Sequence, residues 1–167
     1  MTIDDVNALS TSDFNAKFDF LFEHSPWIVA AAEARRPFAS IAAMEAAFAD
    51  VIEEAGEEKQ ITLLRAHPEL AGKAVLDKTL TEASTAEQAS AGLDRLSPDE
   101  YKLFHELNDA YRTRFGFPFI IAVRTTTKAG ILTAMHYRTA NDVPAEIATA
   151  RGEIAKIVHL RLADALA

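Results

Sequence analysis

Ser97-Pro98-Asp99-Glu100-Tyr101-Lys102-Leu103-Phe104-His105-Glu106-Leu107-Asn108-Asp109-Ala110-Tyr111-Arg112-Thr113-Arg114-Phe115-Gly116 reads as one helix from cap to stop. Ser97 suits the N-cap, and Pro98 suits the first helical position, where its missing N–H is no loss. Glu100 completes a capping box. Tyr101, Phe104, Leu107, Asn108 and Tyr111 lie along this helix. Gly116 then offers the left-handed conformation that ends it.

The helical period runs outward in both directions. Phe14, Phe18, Leu21 and Phe22 follow the cap candidates Ser10, Thr11 and Ser12. Ser25-Pro26-Trp27 stops that helix and starts another, which Arg35-Arg36-Pro37-Phe38 breaks. Ser40 caps a helix carrying Ile41, Met44, Phe48, Val51 and Ile52, and Gly56 ends it. Residues 57–65 form a further helix, closed by Pro68 because the residue before a proline is pushed out of the α region. Residues 69–83 read as irregular, and a helix is expected from about Thr85 to Ala91. Downstream, Ile131, Leu132 and Met135 mark one helix, and Asn141-Asp142-Val143-Pro144 opens the last. Phe119–Val123 is an apolar run that suits either a short strand or a buried helix start. No repeat or second domain is visible. The expectation is an all-α, single-domain bundle of about eight helices over 1–167.

The composition narrows the function. The chain has 167 residues, 49% of them hydrophobic and 25% charged, enough to bury one core. A net charge of -8 argues against nucleic acid and anionic membranes as partners. With no cysteine, thiolate nucleophiles, thiolate metal sites and disulfides are excluded. No apolar run reaches the ~20 residues of a membrane span. Neither end carries an apolar signal core or a peroxisomal tripeptide, so a cytoplasmic protein is expected. His24, His67, His105, His136 and His159 show no metal-ligand spacing, so a metal site is not expected.

Three polar islands stand out. In Arg65-Ala66-His67-Pro68-Glu69-Leu70, His67 sits at a helix end, with the proline fixing the backbone after it. It reads either as a histidine held there by the helix dipole or as a general acid or base. In Ser84-Thr85-Ala86-Glu87-Gln88 the pattern matches a capping box with Ser84 at the N-cap and Glu87 at N3. Such a turn also presents free N–H groups to an anion, with Ser84, Glu87 and Gln88 on one face. In the segment Phe115–Arg124, a glycine turn and an X-Pro kink lead either through a buried connector or to backbone amides that grip a ligand. Arg124 there suits a carboxylate. Trp27 reads as core rather than as a stacking platform.

Taken in order, Ser25-Pro26-Trp27, Arg36-Pro37-Phe38, Leu64–Leu70, Ser84-x-x-Glu87-Gln88, Tyr111-x-x-x-Phe115-Gly116-Phe117-Pro118-Phe119-Ile120-Ile121 and Leu160-Arg161-Leu162 resemble the OHCU decarboxylase family of urate catabolism. The resemblance spans nearly the whole chain. It implies an all-α, cofactor-free, homodimeric lyase. Such an enzyme converts the small molecule 2-oxo-4-hydroxy-4-carboxy-5-ureidoimidazoline to (S)-allantoin. It also implies His67 as the catalytic proton donor and Glu87 as the second catalytic group. Glu87 would either orient His67 or disfavour the charge of the substrate carboxylate. The substrate contacts implied are Pro68, Ser84, Thr85, Ala86, Glu87, Gln88, Phe119, Ile120, Ile121, Ala122, Val123 and Arg124. Met135-His136-Tyr137-Arg138 replaces a more leucine-rich stretch of the family and is expected outside the pocket. The alternative is a non-catalytic helical ligand-binding or interaction domain, in which His67 is silent.

Overall fold

The helical period carries through the molecule. A computed structural model describes residues 1–167, the side chain of residue 74 excepted. Among the described residues there are ten α-helices and no strand, and the chain resolves into two compact units.

The first unit comprises Met1–Ala66 and Ala155–Ala167. It holds α1 (Ile3–Ala8), α2 (Thr11–Phe18), a 3-10 turn (Asp19–Leu21), α3 (Pro26–Glu33), α4 (Ile41–Ala55), α5 (Glu57–Ala66) and the end of α10 (Val143–Leu166). Ser10 and Ser40 cap α2 and α4 as expected, each accepting the N–H three residues on. The helices pack in sequence, α2 on α3, α3 on α4 and α4 on α5. Phe14, Phe18, Ile28, Met44, Phe48, Leu63 and Leu64 fill the core. A fully buried side chain of this size is worth roughly 1.5–3 kcal/mol. Arg161 is buried against the Glu23 carboxylate at 2.9 Å and donates to the Phe20 carbonyl at 2.9 Å.

The second unit is His67–Ile154. It holds α6 (Lys73–Leu76), α7 (Glu82–Ser90), α8 (Pro98–Phe115), a 3-10 turn (Val123–Thr125), α9 (Lys128–Thr139) and the start of α10. The Ser97 cap, its box with Glu100 and the left-handed Gly116 (φ 77°) are all present in α8. Tyr111 is fully buried and ringed by Phe115, Phe117 and Phe119 at centroid distances of 4.6, 6.0 and 5.3 Å. Offset and edge contacts of this kind add to plain area burial.

The two helices beyond the expected eight are α1 and α6. Thr2 and Asp5 form a capping box for α1, so the acidic N-terminus is a helix start. The region 69–83 is not wholly irregular, because α6 makes one turn there and α7 begins at Glu82. One turn is too short to show a period. The Phe119–Val123 run is neither strand nor α-helix. It has no regular secondary structure up to Ala122 and then enters the 3-10 turn.

Candidate active site

α7 organises the second unit's polar residues, and it starts three residues earlier than its sequence suggests. Its N-cap is Thr81, whose side chain accepts from the Ser84 N–H at 3.3 Å. The expected box with Ser84 at the N-cap and Glu87 at N3 is therefore not formed. Ser84 is itself the third helical residue, and Glu87 the sixth. A carboxylate that far along the helix is beyond the free N–H groups of the first turn. The expected anion-binding turn at 84–88 goes with it. The shared face remains: Ser84 and Gln88 are buried and Glu87 is half-buried, whereas Thr85 and Ala86 point to solvent. Those two expected contacts lie on the opposite side of the helix.

His67 follows the last residue of α5 and is 8% exposed, despite being a polar side chain at a helix end. After half-buried Pro68, the chain is gripped by side chains from two helices. Gln88 Oε1 accepts the Ala71 N–H at 3.0 Å, and Gln88 Nε2 donates to the Glu69 carbonyl at 3.4 Å. From α8, Asn108 Nδ2 donates to the Leu70 carbonyl at 2.8 Å. Ala71 is held at φ 52°, a left-handed conformation that costs an L-residue about 1–2 kcal/mol and persists only when its surroundings impose it. Gly72 follows because a Cβ there would come within 2.9 Å of the Glu69 Cβ. Glu69 pairs with Arg112 of α8.

The third island meets α7 from the other side. α7 packs against the 3-10 turn Val123–Thr125, so it touches both the loop after His67 and the end of the 119–123 run. Much of that run is committed internally. The Ala122 N–H donates to Glu153 at 3.4 Å, and the Ala122 carbonyl accepts from the Thr125 N–H and hydroxyl. Phe119, Ile120, Ala122 and Val123 are buried and Ile121 is half-buried. Arg124 is exposed.

Beneath the run lies a polar cluster that the sequence did not reveal. Arg138 donates to the Ile120 carbonyl at 2.7 Å and to Glu146 at 2.6 Å, and stacks 4.2 Å above the Phe119 ring. Glu146, fully buried, also accepts from the Tyr111 hydroxyl at 2.6 Å and from Asn141 at 3.0 Å. Burial first, and the bond to Glu146 second, push the Tyr111 phenol far above its ordinary value. Arg138 thus supports the 119–123 segment directly, where Met135–Arg138 was expected to lie apart from the site. The signal was present in one form only, an arginine at an apolar period position after Ile131 and Met135.

A cavity of about 280 Å³ in this unit is lined by Ala71, Val75, Leu76, Leu93, Leu96 and Tyr101 among others. It contains Ala71 but none of the candidate residues. Among the described residues, no three histidine, aspartate or glutamate side chains converge as metal ligands, and no helix is long and apolar enough to cross a membrane.

The chain matches the family described as OHCU decarboxylase over residues 7–163. A 2-oxo-4-hydroxy-4-carboxy-5-ureidoimidazoline decarboxylase of Haloferax volcanii is 42% identical over 164 residues, covering 98% of this chain and 95% of that protein. The like-named protein of Halalkalicoccus jeotgali is 39% identical over 164 residues, covering 98% and 91%. A crystal structure of (S)-allantoin synthase superposes with a TM-score of 0.76 at 26% identity, covering 99% of this chain and 54% of that one. The helical architecture, the ordered motifs and this likeness agree: the chain belongs to the OHCU decarboxylase family.

Proposed function

We propose that this protein is a lyase that decarboxylates 2-oxo-4-hydroxy-4-carboxy-5-ureidoimidazoline to (S)-allantoin in urate breakdown. The observation that carries this reading is the meeting of the three polar islands on α7 in a chain of this family. Gln88 of α7 grips the loop after His67, and the same helix packs against the turn that ends the 119–123 run. The family match runs unbroken from 7 to 163 across both units, which supports treating 1–167 as one functional domain.

The substrate carries a carboxylate and a hydroxyl on one ring carbon, beside a C=N bond. When the bond to CO2 breaks, its electron pair forms a C=C bond within the ring, and the C=N nitrogen takes up a proton. The resulting enol then loses its hydroxyl proton while the neighbouring carbon gains one, leaving the carbonyl of allantoin. The net change is loss of CO2 and uptake of one proton. The substrate's own C=N is the electron sink, so the protein's task is to orient and to move protons.

His67, held at the end of α5, is the proton donor. Glu87, on the face of α7 shared with Ser84 and Gln88, is the second catalytic group. Pro68, Ser84 and the backbone of 119–123 frame the substrate, and Arg124 balances its negative charge. Gln88 serves through its grip on the loop after His67. Thr85 and Ala86, on the exposed side of α7, contribute through the helix they extend. The same reading includes a cytoplasmic homodimer, whose mass light scattering measures directly.

The test follows fresh substrate, generated from urate by urate oxidase and hydroxyisourate hydrolase. The proposal expects CO2 release to accelerate when the protein is added. Release at the rate of the protein-free control would favour the binding-domain alternative.

A further inference from the structure

We propose that Asn108 is a positioning residue for His67, acting through the loop that the two share. The inference rests on the reading of His67 as proton donor and adds to it a residue that lies on a different helix.

Only Pro68 and Glu69 separate His67 from Leu70, whose carbonyl Asn108 holds at 2.8 Å. With Gln88 on Glu69 and Ala71, two side-chain amides bind three consecutive residues of this loop. Pro68 fixes one backbone angle between His67 and the clamp. Ala71 at the far end is held in a left-handed conformation that it would not adopt unaided. The loop therefore has one geometry because α7 and α8 both impose it, and His67 leaves from its first residue.

A role in stability alone explains Asn108 poorly. It sits mid-way along α8, where asparagine is a weaker helix former than leucine. It is 3% exposed, and its Oδ1 meets no hydrogen-bond donor among the described residues. Its N–H pairs the buried Leu70 carbonyl, which contributes to stability, while the unpaired Oδ1 offsets part of that gain. What leucine could not supply is the single N–H to the Leu70 carbonyl. A few tenths of an ångström in a proton donor's placement matters to a barrier far more than to a folding equilibrium.

The experiment compares Asn108→Leu and Asn108→Ala with the wild type. Asn108→Ala removes the donor without adding bulk or charge. The readouts are kcat, KM, melting temperature and the enantiomeric excess of the allantoin formed. A tenfold or greater loss of kcat per folded molecule is expected in both variants, with KM within about twofold; both melt earlier, because the buried Leu70 carbonyl loses its donor. Enantiomeric excess is expected to fall, because a loosened donor protonates the planar intermediate less selectively. Should Asn108→Leu fail to fold, Asn108→Ala carries the same test. Wild-type kcat and enantiomeric excess in the folded variants would overturn the proposal. So would a kcat loss that only tracks the folded fraction while enantiomeric excess is kept. Those results leave an active wild type in hand, whereas a wild type that turns nothing over overturns the functional reading itself.

Discussion

Glu87 and Ser84 change meaning once α7 is seen to start at Glu82. Glu87 is no longer a helix cap, so capping gives it no reason to be glutamate. Replacing it with glutamine is expected to leave the melting temperature within a few degrees while kcat falls by about 10²–10⁴-fold, the range of general acid–base groups. An early-melting variant with full activity per folded molecule would return Glu87 to a structural role. At this scale the sequence was informative where one backbone rule applied. His67 before proline at a helix end, and the left-handed Gly116, follow from local chemistry. Arg138 and Glu146 did not follow, because their pairing depends on α9 and α10 meeting under Phe119, which no local spacing encodes.

Among the elements, α8 was legible from end to end because cap, proline, box and glycine all agree. α7 was legible in kind but not in register. Thr81-x-x-Ser84 and Ser84-x-x-Glu87 offer two overlapping starts. The earlier one wins, placing Glu82 in the first turn, where the helix dipole favours an acid. The Thr81 cap predicts that Thr81→Ala costs about 1 kcal/mol, or about 2–4 °C of melting temperature for a chain of this size. The measurement is thermal unfolding of Thr81→Ala beside Ser84→Ala. A cap-sized loss confined to Ser84→Ala would restore the later start. The irregular run 119–122 resisted assignment because its backbone partners include the side chains of Arg138 and Glu153, from elsewhere in the chain.

For the whole molecule, the helical class was readable because nearly every segment repeats with the same period, whereas the division into two compact units left no mark in composition. The buried Tyr111 phenol gives the molecule an alkaline signature. Its folded value is raised above the ordinary 10.0, by burial first and Glu146 second. The neutral phenol therefore supports the fold fully below about pH 10, and this support is lost as pH rises further. Tyr111→Phe removes a hydrogen bond to a buried carboxylate and is expected to melt earlier at neutral pH. Its melting temperature should then fall less steeply than wild type above pH 10, and parallel slopes would contradict the assignment. His67 is where the reading of this fold as a ureidoimidazoline decarboxylase stands or falls. The most direct measurement is the circular dichroism of the product, recorded as freshly generated substrate meets wild type and His67→Ala. A growing (S)-allantoin signal is expected with wild type and none above the protein-free control with the variant, whose helical far-ultraviolet spectrum stays intact. Equal signals from the two proteins, or none from wild type, would contradict it.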